Sequence, residues 1–288
     1  MPSIAHRLLV PLGRFFVSLR YDIDVQHDQN LDTESLNNGP VLILPNHPSY
    51  LDPVLVMASL PLKELPRPLV FSGTYRHVAM YPFLKAVNAF EVPWSEKPNR
   101  EVYKASQEVL DRSADALNNG QHILLYPSGK LQRQGHEIVG AARGAYDLVQ
   151  RCPEAKILLV RTRGIWGSRF CCQRTGGVPN LTRTLWFAFF TMFASLFFFL
   201  PKRRVTMFMQ EIKRDDLPLH DKRAFNAFLD SFYNAEGPEP ASHIPYHPLR
   251  RVRCADQQFA SLLPITPPSA DLSSLSSMSL QPAEATHA

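Results

Sequence analysis

Three short apolar runs constrain this chain most: VLILP at 41–45, HILLY at 122–126 and KILLVRTR at 156–163. Each is shorter than an ordinary helix and is closed by turn residues, so each reads as a buried strand. Leu69 to Ser72, Ala89 to Val92 and Val205 to Ile212 supply further strand candidates. Helical patterns occupy 78–87, 99–118, 138–150 and 219–234, and the second stops at Asn118-Asn119-Gly120. Within the third, Gly140 and Gly144 read as sites of close packing. Strands alternating with helices give an α/β fold, with a mainly parallel or mixed sheet flanked by helices. At 288 residues, 45% of them hydrophobic, the natural count is one core domain with tails.

The first run leads straight into His47, and Asp52 stands five positions later with Pro53 behind it. Asn46 to Tyr50 supply a turn, with Pro48 and Ser49 as breakers. Asp before Pro reads as a helix N-cap, opening a helix that carries Leu55, Val56 and Leu60. A carboxylate fixed there can also accept a bond from an imidazole. That bond selects one tautomer and leaves the other ring nitrogen as a base. Spacing by itself specifies little, because His27 and Asp32 repeat it in a polar stretch with no apolar strand before it. The second run leads into Pro127-Ser128-Gly129-Lys130, followed by Arg133. Such a turn is expected to expose backbone N–H groups beside positive charge, which suits a phosphate or a developing oxyanion.

In this order and spacing the two segments resemble the lysophospholipid acyltransferase family, typified by 1-acylglycerol-3-phosphate acyltransferases. The family's NHxSxxD block stands here as Asn46-His47-Pro48-Ser49-Tyr50-Leu51-Asp52, and its FPEGTRS block as Tyr126 to Gln132. The resemblance covers about residues 30 to 235. It implies a glycerolipid acyltransferase-like fold with His47 and Asp52 as the catalytic pair. Asn46, Ser49, Ser128 and Gly129 fall on its substrate-binding blocks. Two departures stand out. Ser128 replaces the block's usual Glu, and Ala89-Phe90-Glu91-Val92-Pro93-Trp94 lacks the Arg of the family's intervening block. Both missing residues are associated with gripping glycerol phosphate. Arg76, Lys130, Arg133 and Arg143 are candidate substitutes. The Ser-Gly form is similar to a branch fused to acyl-activating ligases, and Ser231 to Tyr246 resembles the connector in such proteins.

The implied reaction needs no metal, cofactor or covalent intermediate. His47 takes the proton of an acceptor hydroxyl, which attacks the thioester of acyl-CoA or acyl-carrier protein. Backbone N–H groups near Ser128 and Gly129 stabilise the oxyanion, and His47 reprotonates the departing thiol. Two alternatives remain open: acylation of a lyso-aminolipid such as lyso-ornithine lipid, and a catalytically silent membrane-binding scaffold.

A net charge of +5 and a pI near 9.1 suit an anionic surface. Without a basic patch interleaved with stacking aromatics, a membrane is expected and nucleic acid is not. Cys152, Cys171, Cys172 and Cys254 lack CxxC spacing and read as reduced thiols. Arg7, Pro11 and Arg14 interrupt the first apolar stretch, so no signal peptide is expected. Residues 4–20 read as a membrane-surface or packing helix with a basic face. Thr184 to Leu200 is uncharged and holds seven Phe. It is at the short limit for a membrane span, and a span there would part Val205 to Ile212 from its sheet. A half-submerged helix bordering an acyl groove is expected instead. The expected organisation is an N-terminal helix (1–29), an acyltransferase domain (30–236) and a largely disordered Pro/Ser-rich tail (237–288). Its expected place is the cytoplasmic face of the inner membrane, peripheral or monotopic.

Overall fold

The computed structural model describes residues 4–95, 99–174, 176–194 and 202–244. The second half of the apolar run, 195–200, and the tail segment 264–288 lie outside them. The chain runs α1 (Ile4–Arg20), β1 (Tyr21–His27), β2 (Val41–Pro45), α2 (Asp52–Ser59), β3 (Arg67–Phe71) and α3 (Ser72–Tyr75). It continues α4 (Tyr81–Ala86), β4 (Phe90–Val92), α5 (Arg100–Asn118), β5 (Ile123–Leu124) and α6 (Gly144–Arg151). It closes with β6 (Lys156–Arg163), α7 (Leu181–Ala194), β7 (Arg203–Ile212) and α8 (Lys222–Tyr233).

Among the described residues, seven strands form one sheet in the order β1-β7-β6-β2-β5-β3-β4. Every neighbouring pair is parallel except β6 and β7. The expected α/β architecture is therefore present. β2 lies in the middle, and all five of its residues are buried. Alternation along it feeds two cores. Leu42 and Leu44 join α5, α6 and α8 through Leu117, Leu148, Phe225 and Leu229. Val41 and Ile43 join α2 and β7 through Leu55, Val56, Val205 and Met207. Truncating any of these fully buried Leu side chains to Ala would cost about 2–5 kcal/mol.

Several elements differ from the sequence reading. β1 was not anticipated, because YDIDVQH alternates at an edge and only partly buries its apolar residues. The segment set apart as 1–29 thus holds a strand of the common sheet. Of HILLY, only Ile123 and Leu124 form β5, and His122 beside them accepts the Val41 N–H at its side-chain Nδ1 (3.2 Å). The helix expected from 138 begins at Gly144. Residues 137–142 are instead held open by α8. Asn226 binds the Gly140 and Ala142 carbonyls, Asp230 accepts the Val139 N–H, and Asn234 accepts the Glu137 N–H. Gly140 takes a left-handed φ of 63° that a helix cannot include.

Residues 237–244, placed in the tail on composition, run as a strap over the sheet's end. Glu239 accepts the Gly164 and Trp166 N–H groups, and the buried Arg203 donates to Ser242 Oγ (2.6 Å) and its carbonyl (3.0 Å). A Cβ at Gly167 would stand 2.3 Å from the Ser242 carbonyl oxygen, so only Gly lets the strap pass.

Candidate active site

His47 sits just beyond the carboxyl end of β2, the edge of a parallel sheet where ligands bind. The residue before it is pinned on three sides. The Asn46 N–H donates to Val160 (3.2 Å), its side-chain Nδ2 donates to the Thr162 carbonyl (3.0 Å), and its Oδ1 accepts the Thr162 N–H (2.7 Å). Asn46 thereby welds the turn to β6, and its amide is occupied by protein.

The turn then doubles back. His47 Nδ1 lies 3.1 Å from Asp52 Oδ2, with the Asp52 side chain fully buried and the His47 side chain 16% exposed. Ser49 serves the same carboxylate with its N–H to Oδ2 (2.8 Å) and its hydroxyl to Oδ1 (3.1 Å). The expectation that Asp52 caps α2 is not met. Leu51 holds the cap position, and the Asp52 carboxylate faces back into the preceding turn. Burial pushes the Asp52 carboxyl above its ordinary range, while bonds from His47 and Ser49 pull it down. The imidazole stacks on Tyr126, with ring centroids 4.0 Å apart. Burial, then the Asp52 and Glu137 carboxylates, hold that phenol well above 10.0. With Nδ1 committed to Asp52, Nε2 is the nitrogen left for proton transfer.

The second block comes alongside. The Gln132 N–H donates to the His47 carbonyl (2.8 Å), so the two blocks share a hydrogen bond. Ser128 is buried, its hydroxyl 3.0 Å from the Lys130 carbonyl. Gly129 has a left-handed φ of 63°, and its N–H donates to the Tyr126 carbonyl (3.0 Å). That N–H is therefore engaged within the turn, which removes it as an oxyanion donor in this conformation. Lys130 and Arg133 are exposed on the same loop. Arg76, at the end of α3, is exposed and paired with Glu91 (2.6 Å). Arg143 pairs with Asp147 on α6. The structure thus gathers His47, Asp52, Asn46, Ser49 and Ser128, while Arg76 and Arg143 each face an acid of their own.

Sequence reasoning missed Glu137. This acid is buried, and its Oε2 accepts the His47 backbone N–H (2.9 Å). Burial raises its pKa, opposed by a hydrogen bond from Ser128 and by the His47 N–H. A signal for it exists on α8. Asn226, Asp230 and Asn234 recur every four residues as a polar stripe beside Phe225, Leu229 and Tyr233, which marks a face that holds irregular backbone.

Next to the pair lies an apolar groove of about 540 Å³, walled by Leu51 and Val54 of the turn and α2, Phe16 of α1, and Leu185 and Phe187 of α7. Ile244 of the strap also faces it. His47 does not line it; the groove starts at Leu51, beside Asp52. The helices that wall it carry exposed aromatics: Phe15 and Phe16 on α1, and Trp186, Phe189, Phe190 and Phe193 on α7. Among the described residues no helix is long and apolar enough to cross a membrane.

The acyltransferase family profile matches residues 22–162, which include the His47–Asp52 turn and the Ser128 loop. Among solved structures, the chain is similar to the 1-acyl-sn-glycerophosphate (LPA) acyltransferase PlsC from Thermotoga maritima. The TM-score is 0.55 at 12% identity, over 80% of this chain and 77% of that one. At that identity the likeness is one of fold. No curated protein matches the chain. The acyltransferase profile therefore falls on the stretch that carries both the His47–Asp52 turn and the Ser128 loop, and the chain shares its fold with that solved acyltransferase.

Proposed function

We propose that this protein transfers an acyl group from acyl-CoA or acyl-carrier protein to the free hydroxyl of a lysophospholipid at a membrane surface. The observation that carries the reading is the 3.1 Å contact between His47 Nδ1 and an Asp52 carboxylate with no exposure. Asp52 holds the tautomer, Nε2 takes the acceptor's proton, and the resulting oxygen attacks the thioester carbonyl. The tetrahedral intermediate collapses, the C–S bond breaks, and the thiolate recovers the proton from His47. Lys130 and Arg133, exposed on the neighbouring loop, are the acceptor-phosphate ligands in this reading.

The groove beside Asp52 takes one acyl chain. Its volume falls within the range of small-molecule sites. The aromatics of α1 and α7 rest in the lipid interface, with the membrane on the side where the groove opens. The cytoplasmic face of the inner membrane is the place this reading assigns.

Pairing of Arg76 with Glu91 favours a second acceptor class, because it withdraws one cation from phosphate binding. That class is the lyso-aminolipids, of which lyso-ornithine lipid is an example. Transfer from labelled acyl-CoA and acyl-carrier protein to a panel of both lysolipid classes, with wild type beside His47→Ala, tests the proposal. A His47-dependent product names the acceptor. A folded protein that binds vesicles and yields no product with any pair would favour the silent scaffold.

A further inference from the structure

Glu137 is an expensive residue to keep. Its carboxylate is buried, and among the described residues no Lys or Arg forms an ion pair with it. Burying an ionised carboxylate away from a cation costs free energy, and hydrogen bonds to it must offset that cost. One such bond comes from the His47 backbone, whose N–H reaches Glu137 Oε2 at 2.9 Å. Glu137 is itself latched by both of its own backbone groups. Its N–H donates to Asn234 Oδ1 (2.9 Å), and its carbonyl accepts from Asn234 Nδ2 (2.9 Å). Asn234 follows directly on α8, and the neighbouring Tyr233 hydroxyl bonds the Leu44 carbonyl in β2 (2.8 Å). α8 therefore grips both the strand that delivers His47 and the acid that receives its N–H.

Ser128 meets the same carboxylate from the other loop. Its single hydroxyl hydrogen serves either Glu137 or the Lys130 carbonyl at a given moment. Two buried carboxylates thus bracket His47. Asp52 holds its ring, and Glu137 holds its main chain.

We propose that Glu137 is a positioning residue for the base: by accepting the His47 N–H it fixes the backbone from which the imidazole reaches Asp52. This inference rests on the acyltransferase reading. The hydrogen bond matters in it, and the negative charge does not. Glu137→Gln keeps an oxygen at the same point and removes the charge. Glu137→Asp keeps the charge and withdraws the oxygen by about one carbon–carbon bond, ~1.5 Å.

The test measures kcat and KM for both variants, together with the 15N spectrum of the imidazoles, His47 being assigned by its loss in His47→Ala. Glu137→Gln is expected to keep kcat within several-fold of wild type and to retain the Nδ1-protonated tautomer. Glu137→Asp should lose on the order of 10²-fold in kcat with KM unchanged, as a misplacement of this size does, and should show a tautomer mixture. Placing the acid on the other loop, Ser128→Glu with Glu137→Ala, should recover kcat over Glu137→Ala alone. An Asp variant equal to wild type, or a Gln variant as impaired as Asp, overturns the inference. If the wild type shows no His47-dependent transfer, the acyltransferase reading fails first. The tautomer spectra then still decide whether Glu137 positions the ring.

Discussion

Two segments of this chain carry a His and an Asp five residues apart, and the structure makes something different of each. At 47–52 the strand before the His is central, and every residue of it is buried. At 27–32 the strand is an edge strand, half open to solvent. After Pro45 the chain is pinned by Asn46, turns through Pro48 and Ser49, and brings Asp52 back beneath the imidazole. After His27 it continues along β7, with the Asp28 N–H donating to Met209 (2.9 Å). Asp32 is left to cap the next turn through the Glu34 and Ser35 N–H groups (2.9 and 3.2 Å). Identical spacing yields a buried dyad in one place and a solvated cap in the other. The anchored strand, and the Ser that faces the acid, make the difference.

Substitution at matched positions should widen that contrast. His47→Ala should abolish transfer, a loss on the order of 10³–10⁴-fold in kcat, with the circular dichroism spectrum unchanged. His27→Ala should leave kcat as it is, and any comparable loss there would break the comparison. Asp52→Asn should cost about 10²–10⁴-fold by releasing the tautomer. Asp32→Ala should spare activity and lower stability by about 0.5–1 kcal/mol in urea titration, as loss of a cap does. Ser49→Ala removes one donor to a buried carboxylate and should cost about 1 kcal/mol, with a partial fall in kcat. Full activity in that variant would show that the Ser49 N–H and the imidazole suffice to hold Asp52.

The smallest expected effect concerns pH. His122 accepts the Val41 N–H at the start of β2, and burial holds its pKa below 6.5. A base with a depressed folded-state pKa contributes stability above its unfolded value. That stability is lost as pH falls through the folded value. Thermal unfolding midpoints should therefore drop on acidification below about 6.5. His122→Asn, which keeps an acceptor but does not titrate, should flatten that slope. Burial raises the Asp52 and Glu137 carboxyls, so their contribution has the opposite sense and declines as pH rises through their folded values.

Much of this was legible in advance where burial was continuous. VLILP, KILLVRTR and the amphipathic run at 99–118 became β2, β6 and α5 with boundaries close to those read. β1 was missed because an edge strand with alternating Asp and Gln carries no apolar run. The helix from 138 was read too long, since the side chains that hold that backbone open come from α8, about ninety residues away. In the site, the His-Asp pair could be read from a local block. Glu137 was missed: the polar stripe on α8 marks a face that holds irregular backbone, but the partner of Glu137 on His47 is a main-chain N–H, and sequence does not reveal which acid a backbone group will meet. The clamps on 237–244 escaped a reading based on composition, because Glu239 and Ser242 look like the rest of a Pro-rich tail.

The one antiparallel pair in the sheet has a consequence for how this chain tolerates change. β6 leaves the sheet at Arg163, and β7 re-enters beside it, Arg163 against Thr206. Everything from Gly164 to Lys202, α7 included, is thus a hairpin excursion that departs and returns on neighbouring rungs. Lengthening such an excursion adds little closure entropy, about 0.6 kcal/mol for each doubling. The aromatic helix is carried on this excursion, outside the ladder itself. A change of length or sequence between the same two rungs leaves the ladder beneath His47 in its register.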